Sequence, residues 1–168
     1  MCESTERAGY VQYEISNFCL PGRESRHNLK YWPTRPYYGF GCSAHSYDGR
    51  TARWSNERDA ARYCELVEAA GTGLIETTGL SERDAGAEAL FLGLRLTRGV
   101  DLREHRARFG ADVRAAYADD LARFAEAGLV EFDGDQLRLT RDGALLSNEV
   151  FAAFVSATPV PDASTDSQ

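Results

Sequence analysis

The stretch LVEFDGDQLRLT, Leu129–Thr140, decides how the second half of this chain folds. Apolar and polar residues alternate on both sides of Asp133-Gly134, a dipeptide that supplies the backbone angles of a two-residue hairpin turn. Two antiparallel strands follow from that pattern. Upstream, the apolar period lengthens to that of a helix. Ser81–Asp84 (SERD) has the form of a capping box and leads into ALFLGLRL, residues 89–96, apolar enough for the most buried helix of the chain. A short helix over about residues 102–109 stops at Gly110. A longer one carries Val113, Tyr117, Leu121 and Phe124 in register and ends at AGL, 127–129. After the hairpin, Thr140 caps a last helix whose Leu146, Val150, Phe151 and Phe154 can cover a core. Helix, helix, helix, hairpin, helix is the order of a winged-helix-like module.

The first half reads as strand and loop. Tyr10–Ile15 is aromatic and β-branched enough for a strand, and it begins almost at once, as if the chain entered in mid-fold. SNFCLPGRESRHN, 16–28, is rich in turn formers and reads as a long loop of the kind that carries function. A second strand is expected over Tyr38–Tyr47, with a turn at Asp48-Gly49 and an antiparallel return through RTARWSN, 50–56. From Asn56 the sequence NERD offers a helix cap. Ala60, Tyr63, Val67 and Ala70 then share one helical face, which GTG at 71–73 closes. The tail SATPVPDASTDSQ has little to bury and is expected to be disordered.

Composition narrows the function classes. With 168 residues the chain is long enough to bury a core. Its 43% hydrophobic and 27% charged content is that of an ordinary soluble protein, and its net charge of -7 opposes general attraction to nucleic acid or to an anionic membrane. The helix that would read a DNA groove makes the same point. It sets Asp112, Asp119, Asp120 and Glu126 against Arg114 and Arg123, so its face repels phosphate. No apolar run nears the roughly 20 residues of a membrane span, and the first ten residues lack the features of a signal peptide. A cytoplasmic protein is expected. Cys2, Cys19, Cys42 and Cys64 are spread too widely for a local zinc or iron–sulfur site, and free thiols are expected.

Chemistry concentrates in RHNLKYWP, Arg26–Pro33. This run puts an imidazole (His27), flat faces (Tyr31, Trp32) and cations (Arg26, Lys30, and Arg35 just beyond) into one loop. Such an inventory suits a planar, apolar ligand with carboxylate edges and a central metal, as in heme or a related tetrapyrrole. A loop histidine that merely closes a turn is the competing reading. GFGCSAHS, Gly39–Ser46, lets a backbone approach a ligand or another strand closely. It lacks the third glycine and the helix of a dinucleotide fingerprint. Of the other histidines, His45 reads as a hydrogen-bonded pocket or core residue, and His105, among Arg103, Glu104 and Arg106, as a solvated surface residue.

Taken in order, YEISNF (13–18), PG (21–22), SRHNLKYW (25–32), YYGFGCSAHS (37–46), RWSN (53–56), LGLRLTRGVD (92–101) and LRLTRDG (137–143) resemble the oxygen-independent coproporphyrinogen III oxidase-like radical SAM proteins, especially their heme chaperone branch. The resemblance implies an α+β fold: terminal strands of a partial TIM-type barrel over 1–55, a mostly helical, winged-helix-like domain over 56–155, and the tail 156–168. It implies heme binding through an H-N-x-x-Y-W motif, here His27, Asn28, Tyr31 and Trp32, with His27 as axial ligand to iron and Tyr31 and Trp32 as walls. It further implies that Gly39, Gly41, Ser43, Ala44 and Ser46 match a G-x-G-x-S-A-x-S segment near the family's cofactor and substrate cavity. The family's C-x-x-x-C-x-x-C motif, which holds a [4Fe-4S] cluster beside S-adenosylmethionine, has no counterpart in this sequence. The expectation is the C-terminal portion of a family member, from a truncated, split or degenerate gene. It would contact heme and pass it to an acceptor, or serve coproporphyrinogen decarboxylation with a separate radical SAM barrel. Neither nucleic acid nor a membrane is an expected partner.

Overall fold

The computed structural model describes residues 2–31 and 34–156; Trp32 and the tail beyond Ser156 lie outside them. Two short elements open the chain, helix α1 (Cys2–Arg7) and a hairpin of strands β1 (Val11–Glu14) and β2 (Asn17–Cys19). The stretch read as a long loop thus holds a strand. Its turn closes on Glu14, whose carboxylate accepts from Ser16 N at 2.8 Å and Asn17 Nδ2 at 2.5 Å. A single helical turn, α2 (Asn28–Tyr31), follows.

Strands β3 (His45–Tyr47), β4 (Ala52–Asn56) and β5 (Leu74–Gly79) form an antiparallel sheet in that order. Asp48 closes the β3–β4 turn by accepting from Arg50 N and Ala52 N. The predicted strand from Tyr38 is strand only from His45, because positive φ at Gly41 (95°) and Ser43 (60°) curls the residues before it. β5 was not foreseen: each of its six residues is exposed, so it lacks a buried face to mark it. Helix α3 (Ala60–Ala70) links β4 to β5. Asp59, not Asn56, caps it by accepting from Arg62 N, and it buries no residue, so the apolar face expected there stays uncovered. The sheet also spans the boundary expected after Ser55, since β4 runs to Asn56 and pairs with β5.

From Ser81 on, the helices follow the sequence closely. α4 (Glu82–Leu94) starts where Ser81 accepts from Asp84 N. Its small residues Gly86 and Gly93 let neighbours come close: a Cβ on Gly93 would lie 2.5 Å from Val100 Cγ2. A short strand β6 (Val100–Asp101), helix α5 (Leu102–Phe109) with Gly110 left-handed at its end, α6 (Val113–Ala116) and α7 (Ala118–Glu126) precede the hairpin β7 (Val130–Asp133) and β8 (Gln136–Leu139). Then come α8 (Arg141–Leu145), capped by Thr140, and α9 (Ser147–Ser156). β8 sits between β6 and β7.

Both of the longer helices expected here are broken. Tyr117 leaves the helical region (φ -124°, ψ 31°), where its ring meets Phe154 edge-on at 5.0 Å. Leu146 breaks the second (φ -105°, ψ 24°) and points to solvent rather than to the core. That core comprises Leu90, Leu94, Leu102, Val113, Leu121, Phe124, Val130, Leu137, Val150 and Phe154. Every strand pair among the described residues is antiparallel, so the parallel pairing of a TIM-type barrel is not formed among them.

Candidate functional site

His27 and Asn28 stand at the start of α2, which Ser25 nucleates: its carbonyl accepts from Leu29 N at 3.0 Å and its hydroxyl from Asn28 N at 3.4 Å. His27 is exposed. Together with Thr34, Tyr37, Tyr47, Arg53, Glu88 and Leu92, these two residues line a half-open cleft of about 480 Å³, within the usual size of small-ligand sites. Tyr31 contributes backbone to α2. The place of Trp32 in the motif lies outside the described residues.

The floor of this cleft ties the sheet to α4. Arg53 Nη2 donates to Glu88 Oε1 at 2.5 Å, and its guanidinium lies 5.0 Å from the centroid of the Tyr47 ring. Burial opposes the charge on Arg53, but the hydrogen bond and charge of Glu88 outweigh it and raise its pKa. Arg53 Nε is buried without a hydrogen-bond partner. Burial raises the Tyr47 phenol, against the nearby charges of Arg108 and Arg53, so it stays protonated and donates to Arg50 O at 2.8 Å. Tyr37 joins Tyr47 through two backbone hydrogen bonds of 2.9 Å, with ring centroids 6.2 Å apart. Thr34, buried at φ 50°, is fixed by Arg108, which donates to its carbonyl and, at 2.5 Å, to that of Gly49. Sequence reading found the imidazole and missed Tyr37, Tyr47, Arg53 and Glu88. The last two are 35 residues apart, and no local pattern joins them.

The glycine-rich segment borders this cleft through its flanking tyrosines and has a structural job of its own. A Cβ on Gly39 would lie 2.4 Å from His45 O, and Gly39 N donates to the buried Ser46 Oγ at 3.0 Å. Asn56 holds the curl by donating from Nδ2 to Gly41 O and from its backbone N to Ala44 O, both at 2.9 Å, while Ser43 N donates to Glu57 O. Gly39, Gly41, Ser43, Ala44 and Ser46 therefore make a backbone-to-backbone turn, and none of them lines the His27 cleft.

Two histidine expectations are corrected. His45 is exposed, because the β3 pleat turns Ser46 inward instead. His105 is buried, at 6% exposure, since α5 presents Leu102 and His105 to α4 while Arg103 and Arg106 face out. Its Nε2 lies 2.9 Å from Gly86 O. A carbonyl only accepts, so Nε2 carries the proton and Nδ1 is left as an acceptor, with no hydrogen-bond partner. Burial, with help from Arg108 and against the bond to Gly86, pushes the His105 pKa down.

A second missed pair is Glu14 and Arg95, which joins the motifs YEISNF and LGLRLTRGVD. Glu14 is fully buried and lies 3.5 Å from Arg95 Nη2, while Ile15 N donates to Arg95 O at 2.9 Å and Thr97 N to Tyr13 O at 3.2 Å. Two of the recognisable motifs are thus one structural joint.

Comparison with known proteins bears out the resemblance. Residues 80–146 match the family model of the HemN C-terminal domain. The chain is 39% identical over 150 residues to heme chaperone HemW of Bacillus subtilis (strain 168), covering 89% of this chain and 39% of that protein. It is 38% identical over 146 residues to heme chaperone HemW of Mycobacterium tuberculosis (strain H37Rv), covering 85% and 34%. Its fold matches that of Escherichia coli coproporphyrinogen III oxidase (HemN), described as a radical SAM enzyme. That match has a TM-score of 0.71 at 20% identity, over 93% of this chain and 39% of that one. The chain therefore spans between about a third and two fifths of the length of these relatives. Among the described residues no helix is long and apolar enough to cross a membrane.

Proposed function

We propose that this chain, which carries the HemN C-terminal domain and is a sequence relative of the heme chaperones HemW, contacts heme through His27 and hands it to an acceptor protein. The observation that carries the reading is the cleft in which His27 and Asn28 meet Tyr37, Tyr47 and Arg53. Its donor set fits a tetrapyrrole: an exposed imidazole for the iron, the half-buried Tyr37 ring for the macrocycle's face, and the Arg53 guanidinium, shared with Glu88, toward its acidic edge. Bound heme would supply an iron with open axial positions, and His27 would fill one. Tyr31 and Trp32 complete the motif in sequence. A half-open cleft on a short helical turn suits a carrier, because a ligand that must leave again is held at one edge rather than enclosed.

In this reading the family's [4Fe-4S] cluster and S-adenosylmethionine belong to a radical SAM barrel that acts as partner. The β-rich first part continues that barrel, and the unit built on α4–α9 with its three-stranded sheet is winged-helix-like and serves docking in the cytoplasm. The relatives at 38–39% identity are named as heme chaperones, which favours heme handling over coproporphyrinogen decarboxylation. The charge of α6 and α7 disfavours DNA. Titrating hemin into the purified chain and following the Soret band tests the proposal. A saturable shift at one hemin per chain is expected, and a band that stays that of free hemin removes the function.

A further inference from the structure

Behind the His27 cleft, and sharing only Thr34 with it, lies a second cavity of about 460 Å³. It opens between α4, the loop into β6, and α5, and the small side chains of Ala89, Gly93 and Gly99 leave its space. Two of the residues that line it each hold a buried polar atom without a hydrogen bond: Nδ1 of His105, which is 6% exposed, and Oγ1 of Thr34, which is 4% exposed. Burying such atoms unsatisfied is costly, and a cavity lined by both residues has the chemistry of a binding site. One is an acceptor that needs a donor, and the other is a hydroxyl that can serve either way.

The charges on the same walls select the rest of the ligand. Arg35, Arg98 and Arg108 face Asp101 and Glu104. His105 is neutral in the tautomer its bond to Gly86 requires, so the walls carry one net positive charge. Arg108 is held by the carbonyls of Thr34 and Gly49, and Asp101 Oδ1 caps α5 by accepting from Arg103 N and Glu104 N. Arg35 and Arg98 are exposed, and no ion pair engages either among the described residues. They are left to take an anion bidentately. One net charge favours a monoanion, because a phosphate dianion would meet the carboxylates of Asp101 and Glu104 as well.

We propose that this cavity is a second ligand site, for a small carboxylate that also carries a hydroxyl or amino group. The carboxylate sits against Arg35 and Arg98, and the donor group reaches His105 Nδ1 and Thr34 Oγ1. Its occupant would stiffen the joint between the first part of the chain and the helical unit, since Thr34 and Arg35 come from one and the remaining walls from the other.

The test is a titration of the full chain, isotope-labelled, with lactate, glycerate and serine in turn, and with glycerol 3-phosphate as dianionic comparator. Amide shifts around residues 98–108 and the long-range imidazole signals of His105 are followed. Saturable binding of at least one of the three carboxylates is expected. The Nδ1 resonance should move as it gains a hydrogen bond, and the dissociation constant should rise about tenfold or more in Arg98→Ala and in Arg35→Ala. Both variants change exposed side chains and leave the fold intact. Three outcomes would each overturn the site: no saturable shift with any of the carboxylates, tighter binding of the phosphate, or binding indifferent to both arginines.

Discussion

The two parts of this molecule spend their apolar residues differently. From Leu90 to Phe154, ten side chains close into one core. Before Ser81, β5 and α3 bury nothing, and Phe40 and Tyr38 stand 91% and 67% exposed. The first part is held by specific polar joints instead: Glu14 to Arg95, Arg53 to Glu88, and Arg108 to Thr34 and Gly49. Stability should therefore reside in the second part, and the first should depend on a few hydrogen bonds.

The largest effect expected of a single change is in the core. Leu137→Ala or Phe154→Ala, both at fully buried positions, should cost about 3–5 kcal/mol, read as a lower urea midpoint for the whole chain. Next comes the joint. Arg95→Ala strands the buried Glu14 and should cost about 3 kcal/mol. Its signature is local: amide exchange should accelerate in β1 and β2 while the core amides keep their protection. Equal loss in both parts would break the comparison.

Smaller again is the pH effect of His105. Its folded pKa is depressed, so the native state favours the neutral ring and the unfolded state binds the proton more readily near and below the ordinary histidine value of about 6.5. Stability is then complete above that value and falls as pH drops through it, by at most about 1.4 kcal/mol per pH unit. Thermal melts between pH 7.5 and 5 should show this slope, and His105→Gln should flatten it. The smallest effect belongs to β5: Leu74→Ser, on an exposed strand, should change stability by no more than about 0.5 kcal/mol.

What the sequence disclosed follows the same divide. In the second part the apolar period, the caps at Ser81 and Thr140, and the stop at Gly110 report burial and backbone geometry within a few residues, so local pattern sufficed. The breaks at Tyr117 and Leu146 escaped because helical register continues through them. In the first part the apolar residues do not mark a core of this chain, and β5 and the bare face of α3 could not be told from pattern. The cleft was half legible. His27 and Asn28 stood out in one short loop, whereas Arg53, Glu88 and Tyr47 enter it through strand pairing and a contact across 35 residues. His105 was misread because its charged neighbours in sequence are exposed while the helix turns His105 itself toward α4.

The central claim is that the imidazole of His27 is the protein's contact to heme iron. Resonance Raman spectra of the ferrous, hemin-loaded chain test it most directly. An iron–histidine stretching band is expected in the wild type and its loss in His27→Ala, with His45→Ala unchanged. A band that survives His27→Ala would contradict the account.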